Sequence, residues 1–197
     1  MREVIPAPKP TSAIWRKTLD RLEEHSRRFI ALSPMLYLAT ADADGRCDSS
    51  PRGDPPGFVK VLDERTLLVP DRKGNRRIDS MRNIASNPHI GLLFVIPGTD
   101  ETLRISGRAS ITDDAELLAL CEVEGQRPAL GIVVEVEELF MHCARAFRRS
   151  RLWDPGTWPD RAELPTLGKI IADQLPDMNI DAAEADAGLE QANRDLY

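Results

Sequence analysis

The chain has 197 residues, 42% hydrophobic and 29% charged, with a formal net charge of −6. That length accommodates one domain with a sizeable core and appended helices. The acidic balance argues against nucleic acid, since neutralising phosphates takes a broad basic surface, and no apolar run nears the roughly 20 residues of a membrane span.

Three widely spaced cysteines, Cys47, Cys121 and Cys143, form no disulfide framework and fit reduced thiols in a cytoplasm. The N-terminus lacks the apolar core of a signal peptide. "PAPKP" (6–10) is a stiff lead-in, after which Thr11 or Ser12 is predicted to cap a helix running to about Leu32, with Pro34 beyond it. "MLYLATA" (35–41) and "RCDSSPRG" (46–53) read as two strands around an Asp44–Gly45 turn. "GFVKVLD" (57–63) and "TLLVP" (66–70) read as a second hairpin.

Next comes "DRKGNRRIDS" (71–80), with Arg72, Lys73, Arg76 and Arg77 concentrated in one turn. Ile78, Met81, Ile84 and Ala85 follow at helical spacing, and Asn75 is the expected N-cap. Arginines in a first helical turn oppose the macrodipole, whereas free N–H groups there favour an anion. Two arginine forks added to those donors suit a phosphate. The bland alternative is a solvated turn whose charges Asp71, Asp79 and water satisfy.

"HIGLLFVI" (89–96) reads as a strand buried on both faces, "ETLRISGRASI" (101–111) as an alternating strand and "DDAELLALCEVEG" (113–125) as a short helix. "ALGIVVEVEEL" (129–139) is a further strand, and two helical stretches follow the loop "DPGTWPD". Closely spaced strands favour an antiparallel barrel over parallel crossovers. The usual dinucleotide and nucleoside-triphosphate motifs and the serine nucleophile elbow are missing. His25, His89 and His142 fall in separate segments, so no metal site is expected.

The succession "LVPDRKGNRR", helix, "SNPHIGLLF" and "ETLRISGRA" resembles the pyridoxamine 5′-phosphate oxidase-like family, the FMN-binding split barrels, from about residue 34 to 112. "CARAFRRSRLW" looks like a branch of uncharacterised flavoproteins within it. The resemblance implies a mainly β fold with added helices: a six-stranded antiparallel FMN-binding split barrel over 34–153. Helical extensions would occupy 1–33 and 154–197, the latter packed on the barrel. It also implies a cytoplasmic homodimer with FMN at the subunit interface.

Carried over by residue, the phosphate falls to Arg76 and Arg77, helped by Asn75 and Lys60. Asn75-Arg76-Arg77 stands where the family has Ser-Arg-Lys. Pro70 and Asp71 replace a Tyr/Thr pair, with Asp71 expected near the ribityl hydroxyls or ring edge. The backbone at Phe58 and Val59 would run along the isoalloxazine. Arg52 would stand in for a displaced arginine, and Thr102 for a glutamine that faces the flavin. Arg52 and Trp153 are also the expected substrate contacts. The family's substrate-gripping Arg-Leu-His becomes Arg151-Leu152-Trp153, so pyridoxamine phosphate oxidation itself is not implied. The expected function is an FMN-dependent oxidoreductase acting on an unassigned small molecule, with no dedicated acid/base side chain. Rival readings are a deazaflavin-dependent reductase, and a non-catalytic flavin or haem binder using His89 or His142.

Overall fold

The computed structural model describes residues 7–197, so the start of the N-terminal extension and the first proline of "PAPKP" lie outside the described residues. Ser12 caps helix α1 (Ala13–Arg16) by accepting the Ile14 N–H, yet the helix lasts a single turn. The expected continuous helix breaks because Leu19 exchanges both backbone hydrogen bonds with Leu139. Helix α2 (Glu24–Leu32) then starts afresh behind a capping box of Glu23 and Ser26.

Strands β1 (Met35–Ala41) and β2 (Cys47–Gly53) form the first hairpin, with Gly45 in the left-handed region its turn requires (φ 82°). The second hairpin is shorter than expected. Only β3 (Lys60–Val61) pairs with β4 (Thr66–Asp71), while the Phe58 and Val59 side chains join the core just before it. Helix α3 (Asp79–Ser86) begins after Ile78 rather than after Asn75. Strands β5 (His89–Val95) and β6 (Thr102–Thr112), helix α4 (Ala115–Ala119), strand β7 (Leu130–His142) and helix α5 (Arg145–Ser150) complete this part.

Among the described residues seven strands, not six, pair antiparallel in one sheet of order β2-β1-β5-β6-β7-β4-β3, and this sheet is open, with β2 and β3 at its edges. Strand alternation turns Leu36, Leu38, Phe94, Leu103, Ile105 and Val134 into one core. Gly107 marks a bulge: Ser106 faces Glu138 while Gly107 faces Val136, which leaves Glu137 as the extra residue. A Cβ on Gly107 would lie 2.0 Å from the Glu135 carbonyl oxygen, so "SGRA" needs glycine for steric reasons.

The chain divides into two compact units, Met1–Trp153 and Asp154–Tyr197. The second holds helices α6 (Leu167–Gln174), capped by Thr166, and α7 (Ala182–Ala192), capped by Asp181. Gly168 donates its N–H to Asp186 at 2.7 Å, and a Cβ there would come within 2.4 Å of the Ala182 carbonyl oxygen. No helix among the described residues is long and apolar enough to cross a membrane.

Candidate cofactor site

Two ion pairs tie the end of β2 to the end of β4, where no backbone ladder joins them. Arg52 donates to Asp71 at 2.6 Å, and its second terminal nitrogen reaches the Ser80 hydroxyl at 3.2 Å. Ser80, buried at the start of α3, donates in turn to Asp48 at 2.8 Å and meets Ser50 at 3.3 Å. Just beyond, Arg72 pairs with Asp54 at 2.6 Å and donates to the Cys121 carbonyl. The Asp54 side chain is only 1% exposed, so a charge partner is obligatory there. Arg72 is therefore a structural cation and not one that water satisfies in an exposed turn.

Arg76 and Arg77 differ from these two. Arg76 and Arg77 precede α3 instead of occupying its first turn, so the expected opposition to the helix dipole does not arise. Asn75 does not cap the helix; its side chain accepts the Arg77 N–H at 3.0 Å. Arg77 donates from Nε to Asp79 at 2.7 Å in an exposed pair, and that carboxylate holds the guanidinium still more firmly protonated.

The backbone of this turn is unusual. Arg76 (φ 58°) and Ile78 (φ 56°) both adopt the left-handed conformation, and Ile78 is 53% exposed. A β-branched residue pays a strain of order 1–3 kcal/mol there, and no side-chain hydrogen bond caps α3 at this point.

The other expected site residues are dispersed. Lys60 donates to the Gly57 carbonyl at 2.9 Å, which curls the "DPPGF" segment. Phe58 and Val59 are buried, at 6% and 3% exposure, with their side chains in the core. Pro70 is buried in β4 opposite Gly131. Thr102, also buried, opens β6 opposite His142, whereas Asp71 lies opposite Leu130; these positions are twelve residues apart along β7. Trp153 stacks on Phe147 with ring centroids 5.8 Å apart and donates to the Thr99 carbonyl at 2.9 Å, in the turn leading to Thr102. Arg148 fastens the same turn through Asp100. Thus Arg52 and Asp71 meet directly, while Thr102 and Trp153 sit in another neighbourhood.

Sequence reasoning missed Asp48, Asp54 and Ser80, whose partners lie 18 to 32 residues away. No local pattern marks them. Among the described residues no group of His, Cys, Asp or Glu side chains is placed to hold a metal ion.

Residues 22–143 match the family model described as pyridoxamine 5′-phosphate oxidase. Among solved structures, HupZ of Group A Streptococcus is 18% identical with a TM-score of 0.50, the match covering 61% of this chain and 93% of that one. A Lactobacillus delbrueckii protein provisionally assigned as a pyridoxamine 5′-phosphate oxidase is 23% identical (TM-score 0.46; 62% of this chain, 99% of that one). HutZ, a haem storage protein of Vibrio cholerae, is 19% identical (TM-score 0.40; 61% and 94%). At such identities the likeness is one of fold. No curated protein matches the chain.

Proposed function

The chain belongs to the pyridoxamine 5′-phosphate oxidase family, and from that premise we propose that it is an FMN-dependent oxidoreductase acting on a small molecule. The observation that carries the phosphate assignment is the turn Asn75–Ile78. Two exposed arginines stand on a backbone with two left-handed L-residues, and such strain collects at ligand clamps. Arg76 and Arg77 hold the phosphate in this reading, Arg77 exchanging its exposed carboxylate partner for it, with Asn75 in the same turn.

The residues present fit the rest of the cofactor. The family resemblance assigns the backbone at Phe58 and Val59 to the flat ring, with their side chains anchoring that segment in the core. Asp71, fixed by Arg52, offers an acceptor for ribityl hydroxyls. When bound, FMN supplies the electron-transfer chemistry, and the protein orients it and sets the polarity around it. A homodimer belongs to the proposal: Asp71 and Thr102 flank opposite ends of β7, so a phosphate at the basic turn and a ring against Thr102 are most simply supplied by two chains.

Purified protein, or protein given FMN, should be yellow and release FMN on denaturation. Replacing Arg76 and Arg77 together by alanine should weaken FMN binding at least about hundredfold, since each lost charged hydrogen bond costs about 1.5–3 kcal/mol, with the circular dichroism unchanged. Unaltered affinity in that variant sinks the phosphate assignment. A Soret band in place of a flavin spectrum would replace the flavin reading with the haem one.

A further inference from the structure

The outward face of the sheet carries a charge cluster that the flavin phosphate leaves unused. Antiparallel register sets Arg104 opposite Phe140 and Thr102 opposite His142, with Glu138 two residues before Phe140 on the same face. The Arg104 guanidinium lies 4.3 Å from the Phe140 ring centroid and forms an ion pair with Glu138. Its Nε is buried without a hydrogen-bond partner, so the donors of this fork are only partly used. Lys17 reaches in from the N-terminal segment to 5.4 Å from the same ring, its ammonium donating to the Met141 carbonyl at 2.6 Å. His142 meets Phe140 edge-on, with centroids 4.8 Å apart.

Three basic side chains thus surround one aromatic ring against a single paired carboxylate. Burial, followed by the charges of Arg104 and Lys17, lowers the His142 pKa from its ordinary value. A guanidinium laid against a ring is oriented by it and presents a planar fork suited to a carboxylate. Glu138 beside that fork disfavours a dianion such as phosphate.

We infer that Lys17, Arg104 and His142 form a second ligand site, one that takes the carboxylate of a small organic molecule. That this molecule is what the flavin acts on rests on the reading above, through Thr102, the cross-strand neighbour of His142. Trp153, held at the turn before Thr102, is then a wall for the rest of the molecule.

Benzoate, with benzamide as its neutral counterpart, tests the site by NMR of ¹⁵N-histidine-labelled protein, with His142 assigned by His142→Gln. Benzoate should shift the His142 resonances saturably and raise the His142 pKa, and benzamide should do neither. Arg104→Gln and Lys17→Met should each weaken benzoate at least fivefold without altering the circular dichroism, and Glu138→Gln should strengthen it. A silent His142, an equal response to benzamide, or wild-type affinity in both cation variants overturns the site. In FMN-loaded protein benzoate should also perturb the flavin absorbance; a His142 response without a flavin response overturns the assignment as the flavin's substrate site. Protein that takes up no FMN refutes the flavin reading alone, since the His142 titration still decides the carboxylate site.

Discussion

Arg52 and Arg72 differ from Arg76 and Arg77 in how far each is committed. The side chains of the first two are 19% and 14% exposed, and each faces a carboxylate across the gap between β2 and β4. Arg76 and Arg77 are exposed, and Asp79, the carboxylate paired with Arg77, is itself 38% exposed. Breaking a desolvated ion pair strands a charge, whereas an exposed pair near zero net worth exchanges easily for another anion. Four arginines that look alike in sequence therefore divide into two that hold the fold and two available to a ligand.

The hardest test of that division is Asp54→Ala, which removes the buried carboxylate paired with Arg72 and should cost roughly 3–5 kcal/mol in urea unfolding. The Arg76/Arg77 double alanine variant should unfold within about 0.5 kcal/mol of wild type while the FMN affinity proposed for it falls. Equal destabilisation in the two experiments would erase the distinction. A smaller effect is expected of Ile78→Gly: relieving a left-handed β-branched residue should stabilise the free protein by about 1 kcal/mol. A neutral or destabilising result would mean that the turn stores no strain. Smallest of all, Asp79→Asn frees Arg77 and should tighten FMN about two- to threefold. That gain should vanish near 1 M salt, where the Debye length falls to roughly 3 Å.

What was legible in the sequence was local. "MLYLATA", the Asp44–Gly45 turn and the "HIGLLFV" strand form where their patterns put them, because turn chemistry and strand propensity act over a few residues, but the last alternates buried Ile90, Leu92 and Phe94 with more open positions instead of being buried on both faces. The N-terminal helix was misread at Leu19, where pairing with Leu139 overrides helical propensity. Asn75 matched an N-cap by residue type, but its side chain closes a tight turn at Arg77 and the chain enters α3 only after Ile78. Arg52–Asp71 and Arg72–Asp54 were illegible for a different reason: each joins residues 18 or 19 apart that only the curl of the sheet brings together. "SGRA", conspicuous as a motif, proves to be a steric requirement at the Gly107 bulge.

The gap between β2 and β4 also bears on how the molecule breathes. Side chains close it, so it can part without breaking a rung of the β-ladder, although both ion pairs must separate in the same event. Amide exchange should therefore be slowest in β5, β6 and β7, which pair along most of their length, and fastest on the free edge of β2. The motion available at least cost in backbone hydrogen bonds thus runs alongside Arg52 and Asp71, so proton exchange would report the loosening of the ion-paired seam well before the sheet itself yields.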